Sequence, residues 1–190
     1  MSGAAPAPVA HPRLTDGVVT LRGWEEEDLP ALVAVCQDPE IARWTRVPSP
    51  YGKAQAREFL VAKEQMAAEH GDRYFAVVDA GEQRLLGSIA FRRVGDRRAQ
   101  IGYLVAAEAR GRGVATRAVR LLAAWAFAEG DVARLDLLTQ PENLASQRVA
   151  ERAGFRREAV LRSYIELNGR RHDAVVYSLL PADDAAPALP

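Results

Sequence analysis

A short segment rich in glycine and arginine constrains the fold of this chain more than any other part of its sequence. The segment is Glu108–Thr116, which reads EARGRGVAT. Ahead of it, Ala99–Val105 has the apolar character of a strand, and after it apolar residues recur at helical spacing up to Gly130. The first N–H groups of a helix have no partners within the helix. A strand, a glycine-rich turn and a helix in this order therefore predict an anion site at the start of the helix.

The composition of the segment supports this prediction. Gly111 and Gly113 allow the backbone to approach a ligand closely and to turn several N–H groups to one side. The side chains of Arg110, Arg112 and Arg117 can add positive charge. Taken alone, the segment is equally compatible with a tight turn whose arginines are solvated.

Two other phosphate-binding motifs are not found in this sequence. A P-loop ends in Gly-Lys-Ser or Gly-Lys-Thr, and the only Gly-Lys pair, Gly52-Lys53, is followed by Ala54. A dinucleotide-binding turn requires a third glycine, and Gly111 and Gly113 are followed by Thr116 instead. Both motifs are therefore excluded.

The remaining patterns predict a three-layer α/β or α+β domain. Helices are predicted over Leu29–Cys36, Glu40–Trp44, Lys53–Ala68, Val114 to near Gly130, and Leu144–Ala153. Strands are predicted over Val18–Arg22, Arg73–Val78, Leu85–Arg92, Ala99–Val105, Leu135–Thr139, Ala159–Leu167 and Arg171–Leu179. The Asn168-Gly169 pair predicts a hairpin between the last two strands.

Length and composition predict one domain with a tail at each end. A chain of 190 residues, 48% of them hydrophobic, is long enough for one well-buried core. Residues 1–13 and 181–190 are rich in alanine and proline and have no apolar periodicity, which predicts disorder. The predicted domain is 14–180.

Charge and cysteine content exclude several classes of protein. Lysine plus arginine (25) equals aspartate plus glutamate (25), so we expect neither nucleic-acid nor membrane partners. No apolar run reaches about 18 residues and no secretion signal is visible, so we expect a cytoplasmic protein. The histidines and Cys36 lack ligand spacing, which predicts no metal site. Cys36 falls on an apolar helical face and is predicted to be core, with a reactive thiol as the alternative.

At this point the residues resemble a known family. Arg110-x-x-Gly113-x-Ala115 is similar to the Q/R-x-x-G-x-G/A signature of the GCN5-related N-acetyltransferases (GNAT). The resemblance covers nearly all of 14–180 and is strongest to the RimJ/RimL-like branch, which acetylates alanine of ribosomal proteins. Five segments follow the family's order and spacing: VVTLRGWEEEDLPAL, DPEIARW, IGYLVAAEARGRGVATRAVRLLAAWAF, NLASQRVAERAGF and LNGRRHDAVVYSLL.

The resemblance implies a fold and a co-substrate. The GNAT fold is a mixed, mostly antiparallel sheet flanked by helices, and it splays after the fourth strand, here Ala99–Val105. Acetyl-CoA would lie in the gap, with Leu104 and Val105 holding the pantetheine arm and polarising the thioester carbonyl. The residues implied to bind the diphosphate through main-chain N–H groups, or to lie beside it, are Arg110, Gly111, Arg112, Gly113, Val114, Ala115 and Thr116.

The resemblance also implies which side chains serve the leaving thiolate. Asn143 and Ser146 match the family's N-x-x-S pattern, in which asparagine contacts the pantetheine arm and serine lies near the sulfur. The structural alternative is that Asn143 caps its helix and Ser146 sits in the first turn. Tyr164 is a second candidate proton donor, and its alternative is packing in the hairpin.

The general base departs from the family pattern. Many relatives carry glutamate immediately before Ile-Gly-Tyr, where this chain has Gln100. Others place glutamate on the strand before the final turn, where this chain has Ile165, and the neighbouring Glu166 would serve only if the strand register shifted. Either water relays the proton or the base comes from elsewhere in the chain. Glu25, Glu26, Glu40 and His172 are then open, although helix-terminal or structural roles are the alternative for each.

We therefore expect an acetyl-CoA-dependent N-acetyltransferase that acts by direct attack in a ternary complex. Its acceptor would be a primary amine, either a protein N-terminus or a small molecule, in a pocket formed by Trp24, residues 40–50 and the final hairpin. Two alternatives are a catalytically silent acyl-CoA sensor and a transferase for another acyl-CoA such as succinyl-CoA. We expect a monomer or a homodimer.

Overall fold

The structure, a computed structural model, describes residues 11–183. Its strands are β1 (Leu14–Thr15), β2 (Val19–Arg22), β3 (Arg73–Asp79), β4 (Leu85–Arg93), β5 (Arg98–Val105), β6 (Arg134–Thr139), β7 (Arg156–Leu167) and β8 (Arg170–Leu179). Its α-helices are α1 (Leu29–Cys36), α2 (Pro39–Trp44), α3 (Lys53–His70), α4 (Val114–Ala128) and α5 (Leu144–Arg152). Short 3-10 turns at Glu26–Asp28 and Ala107–Ala109 precede α1 and follow β5.

All of the strands belong to one mixed sheet. Their order is β1-β2-β3-β4-β5-β6-β8-β7, and every neighbouring pair is antiparallel except β5 and β6. Asn168 and Gly169 turn the chain between β7 and β8 with φ angles of 52° and 70°, as the predicted hairpin requires. The predicted mixed, mostly antiparallel sheet is confirmed, and only the two-residue β1 was missed.

Helices cover both faces of the sheet because side chains alternate along its strands. On β3, Phe75 and Val77 belong to the main core, which includes Leu122 of α4. Ala76 and Val78 belong to a second cluster, which α1 and α3 complete. The sheet is therefore the middle of three layers, as predicted.

The sheet splits between β5 and β6. The two strands pair in parallel over four residues only, from Arg98 with Arg134 to Ile101 with Leu137. Beyond this point β5 stays on β4 up to the pair of Val105 with Gly87, whereas β6 continues along β8. The predicted splay is confirmed, and the strand concerned is the fifth because β1 precedes the predicted set.

Contacts at both ends extend the packed part of the chain slightly beyond 14–180. The ring of His11 packs edge to face on Phe75, with centroids 5.4 Å apart. Asp183 pairs with Arg156 at 2.7 Å. The rest of the predicted tails, 1–10 and 184–190, lies outside the described residues. Between residues 11 and 183, no helix has the length and apolar character needed to cross a membrane.

Candidate active site

A cleft of about 1080 Å³ opens where β5 and β6 separate. Gly102–Val105 of β5 line one side, and Leu138 and Thr139 of β6 line the other. The 110–116 segment, the first turns of α5, part of α3 and the end of β7 complete its walls. The split therefore creates a long cavity bordered by exposed strand ends.

The glycine-arginine segment forms one end of this cleft. Gly111 and Gly113 have φ angles of 73° and 78°, and a Cβ atom at either position would meet nothing within 4 Å. The first backbone hydrogen bond of α4 is donated by Arg117 to the carbonyl of Gly113, at 3.0 Å. The N–H groups of Val114, Ala115 and Thr116 precede it and have no acceptor within the helix. This end of the cleft is therefore shaped for an anion.

The arginine side chains of the segment are largely engaged elsewhere. Arg110 donates from Nε to the Val105 carbonyl at 3.2 Å and from Nη2 to the carboxylate of Asp38. Arg117 forms an ion pair with Asp16 at 2.7 Å. The side chain of Arg112 is exposed and does not line the cleft, so the prediction for this residue rests on its main-chain N–H group. Main-chain groups, rather than guanidinium groups, therefore dominate this end.

Asn143 and Ser146 lie at the start of α5 and line the cleft. The Asn143 Oδ1 atom accepts from the Ser146 N–H at 3.0 Å, so Asn143 caps the helix, as the structural alternative predicted. The cap also fixes the position of Ser146 facing the cavity. Capping and a place in the cleft are therefore compatible.

Sequence reasoning missed Tyr103, which lies on β5 and contacts α5. Its hydroxyl lies 2.9 Å from the Ser146 hydroxyl, and the two share a hydrogen bond. Burial raises the pKa of Tyr103 to about 12, although the bond to Ser146 opposes the shift. Tyr103 therefore stays protonated at neutral pH. The Ile-Gly-Tyr motif is apparent in the sequence. The contact of Tyr103 with α5 depends on the fold and is not.

The end of β7 presents Tyr164 and Ile165 to the cleft but not Glu166. Tyr164 is 55% exposed, which places it at the rim. The carboxylate of Glu166 lies 3.7 Å from Arg171 in a separate depression that Arg46 also lines. The register shift in β7 ends at Ile165 and does not turn Glu166 inward. The structure therefore places the Glu166 carboxylate beside the cleft rather than on its wall.

Gln100 is held by its neighbour on β4. Its Oε1 atom accepts from Arg92 Nη2 at 2.7 Å, on the cleft side of the sheet. Glu25, Glu26 and His172 are not among the residues that line the cleft. None of these three is therefore a candidate base.

Two carboxylates line the cleft within the described part of the chain, and both are engaged. The Glu40 Oε2 atom accepts from the Trp44 indole N–H at 2.9 Å. Buried Asp72 accepts from the Tyr74 hydroxyl and from the Arg93 N–H, each at 2.8 Å. No described carboxylate is thus free beside the split.

Cys36 is core, as predicted. It is 4% exposed, and burial raises the pKa of its thiol to about 11.

Among residues 11–183, no cluster of histidine, cysteine, aspartate and glutamate could hold a metal ion.

Only some of the residues predicted to form the acceptor pocket line the cleft. Trp24 packs on Phe59, with ring centroids 5.8 Å apart, and does not line the cleft. Trp44 of α2 lines it instead. The other lining residues from residues 40–50 and the final hairpin are Glu40, Ile41, Thr45, Arg46, Tyr164, Ile165 and Leu167.

Comparison with known proteins identifies relatives of this chain. The family model described as "Acetyltransferase (GNAT) domain" matches residues 19–156. The "Probable N-acetyltransferase YjcK" of Bacillus subtilis is 31% identical over 138 residues, which cover 70% of this chain and 76% of that protein.

Two solved structures show the same fold. RimJ of Mycobacterium smegmatis, in complex with a CoA disulfide, is 24% identical with a TM-score of 0.78, and the match covers 93% of this chain and 87% of RimJ. The ribosomal-protein-S5-alanine acetyltransferase of Vibrio fischeri is 20% identical with a TM-score of 0.78, and the match covers 94% of this chain and 100% of the other.

Proposed function

This chain belongs to the GNAT family of acetyltransferases, and from that premise we propose that the cleft binds acetyl-CoA and transfers its acetyl group to a primary amine. The transfer is a direct attack within a ternary complex. The observation that carries the proposal is the split between β5 and β6, with an open, glycine-flanked helix start at one end of the cavity.

The split and the helix start have distinct roles in this proposal. The N–H groups of residues 111–116 bind the diphosphate of acetyl-CoA, because several convergent donors suit a doubly charged linker. Leu104 and Val105 line the cleft beyond the last β5–β6 pair, where β6 no longer occupies their main-chain groups. These groups hold the pantetheine arm, and a main-chain N–H polarises the thioester carbonyl.

Ser146 serves the leaving group. Collapse of the tetrahedral intermediate breaks the carbon–sulfur bond, and the departing thiolate takes a proton. Ser146 lies on the cleft wall and shares a hydrogen bond with Tyr103, which stays protonated. Ser146 passes its proton to the sulfur, and Tyr103 positions Ser146 by donating to its oxygen. The attacking nitrogen loses its remaining extra proton to solvent as the amide forms, and solvent returns a proton to Ser146. Tyr164 at the rim is a second candidate donor.

The acceptor amine loses its proton to water rather than to a carboxylate of the protein. The two carboxylates that line the cleft are engaged by Trp44, Tyr74 and Arg93. An α-amine with a pKa of about 8 is neutral in roughly one molecule in ten at pH 7, so unassisted deprotonation is sufficient. The buried, protonated Cys36 supports direct attack over an acyl-cysteine intermediate.

We propose a protein N-terminus as the acceptor. The Vibrio fischeri neighbour is named a ribosomal-protein-S5-alanine acetyltransferase, and this name supports a protein acceptor, for which we propose the α-amine. One observation favours a second candidate function, an acyl-CoA sensor without turnover. That observation is the engagement of both carboxylates that line the cleft.

One experiment tests the proposal and separates the two functions. The full chain is incubated with acetyl-CoA and peptides with free or blocked α-amines, and release of thiol is followed while calorimetry reports binding of CoA. We expect binding and thiol release that depends on a free amine. Binding without release from any acceptor would favour the sensor, and absence of CoA binding would overturn both.

A further inference from the structure

Arg92 and Lys63 place two cations on one wall of the cleft, next to the point where the sheet splits. Arg92 lies on β4, and its Nη2 atom would be 3.9 Å from a Cβ atom on Gly102. Gly102 is the first residue of β5 beyond the last pair with β6. The guanidinium therefore lies at the fork of the sheet, near the thioester in the proposed function.

Lys63 comes to the same wall from α3. Its ammonium lies 5.4 Å from the centre of the Phe59 ring and 4.7 Å from that of Tyr74. No carboxylate among residues 11–183 lies within 4.0 Å of it, and it contacts the Met66 sulfur at 3.7 Å. Burial and the charge of Arg92 lower the pKa of Lys63, and Asp72 opposes this shift.

The wall carries too little negative charge to balance these cations. Asp72 is its only described carboxylate, and both of its oxygens already accept hydrogen bonds. The side chain of Arg92 has a neutral partner, the oxygen of Gln100. Half-buried cations without an ionic partner lose hydration without full compensation. An anionic group of a ligand would supply that compensation.

We propose that Lys63 and Arg92 form a subsite for a carboxylate beside the reacting thioester. The inference rests on the proposed function and specifies its substrate class. The carboxylate belongs either to the acceptor, as in an amine with a neighbouring acidic group, or to the acyl chain, as in a dicarboxylic acyl-CoA. A polyamine or another cationic acceptor is disfavoured by like charge.

The subsite also contributes to the chemistry. A positive charge near an ammonium group lowers the pKa of that group, because it destabilises the protonated form. For an acceptor without a carboxylate, Lys63 and Arg92 therefore increase the fraction of bound amine that is neutral and able to attack. A carboxylate bound at the subsite offsets this effect.

The first experiment compares matched substrates by thiol release. In the acceptor arm, acetyl-CoA is given with the C-terminally amidated dipeptide Ala-Glu or Ala-Gln, so that only the glutamate side chain supplies a carboxylate. In the acyl arm, succinyl-CoA or butyryl-CoA is given with amidated Ala-Gln. We expect kcat/KM to favour the carboxylate member of one pair roughly tenfold or more, as for a partly buried charged hydrogen bond. The arm with the preference identifies the source of the carboxylate.

Variants test the assignment to Lys63. Lys63→Met keeps the packing on the two rings and should reduce the preference to near unity, whereas Lys63→Arg should retain it. Lys53→Met is the matched control, because Lys53 is an exposed lysine of the same helix that does not line the cleft. A wild-type protein without preference in either arm, or a preference that survives in Lys63→Met, would overturn the subsite.

A binding measurement keeps the inference testable without turnover. Succinate is titrated by calorimetry into CoA-saturated protein, so that the diphosphate site is already occupied. We expect binding to wild type and Lys53→Met but at least tenfold weaker binding to Lys63→Met; equal affinities, or no binding to wild type, would count against the subsite. Turnover with neutral substrates but no carboxylate preference would refute only this inference, whereas absent CoA binding would refute the proposed function.

Discussion

Gly113 lies directly before α4, at the proposed diphosphate site. We predict that Gly113→Val weakens CoA binding at least tenfold, because a branched side chain would fill the space that the diphosphate occupies. The protein has room for the side chain, but φ of +78° strains any L-residue by about 1–2 kcal/mol, so some stability is also lost.

Gly95→Val separates strain from obstruction. Gly95 has φ of +84°, its Cβ would also meet nothing within 4 Å, and it lies in the β4–β5 turn outside the cleft. Both variants should show a similar drop in melting temperature, and only Gly113→Val should lose CoA affinity by calorimetry. Equal affinities in the two variants would contradict the placement of the diphosphate.

Ser146 and Tyr103 are the residues proposed to serve the leaving thiolate. We predict that Ser146→Ala lowers kcat by roughly ten- to ten-thousandfold, the range for loss of a proton donor, and changes CoA affinity little. The helix cap persists in this variant because the main-chain N–H of residue 146 still donates to Asn143.

Tyr103→Phe removes the other half of the same hydrogen bond. We predict a smaller fall in kcat, of about tenfold, since Ser146 keeps its hydroxyl but loses its fixed orientation. The double variant should be no slower than Ser146→Ala alone, because Tyr103 acts through Ser146. Single-turnover kinetics measure these rates, and fully additive losses would show that the two hydroxyls act independently.

At the scale of elements, the end of β5 depends on a glycine in β4. A Cβ atom on Gly87 would lie 2.3 Å from the Leu104 carbonyl oxygen, so the two strands approach too closely for any side chain. We predict that Gly87→Ala destabilises the protein by about 1–3 kcal/mol and weakens CoA binding, because the strand that lines the cleft must move. Urea unfolding and calorimetry measure the two effects.

Gly81→Ala is the control for this change. Gly81 lies in the β3–β4 hairpin, and its Cβ would make an ordinary contact at 3.5 Å with the Asp79 carboxylate. Its stability should change by no more than about 0.5 kcal/mol and its CoA affinity should be unaltered. A Gly87→Ala protein as stable as this control would show that β5 tolerates displacement.

The charge state of the whole site determines how activity depends on pH. Without a protein carboxylate as base, kcat/KM for a neutral-chain acceptor should rise about tenfold per pH unit and level off above the pKa of the amine, near 8 for an α-amine. Tyr103, with a pKa of about 12, stays protonated over this range. The inflection should therefore move with the acceptor when amines of different pKa are compared. An inflection common to all acceptors would identify a base on the protein.

Most of the architecture was predictable because local patterns specify it. The bounds of α1 and the starts of α4 and α5 agree with the prediction, since capping and apolar spacing act within a few residues. The turn in the glycine-arginine segment and the helix cap at Asn143 also depend on neighbouring residues only. Packing between distant elements is not encoded in this way. The contact of Tyr103 with Ser146 and the position of Trp24 outside the cleft therefore could not be predicted from the sequence.

The sequence by itself determined the elements, the family and the glycine-flanked helix start, because periodicity, glycine and helix termini act over neighbouring residues. Only the tertiary structure decided which charges are engaged. It directs Arg110 to Asp38 and Arg117 to Asp16, turns Glu166 away from the cleft, and leaves Lys63 facing it without a carboxylate partner among the described residues. The physical reason is that charged side chains find partners through space, across strands and helices that are far apart in the chain.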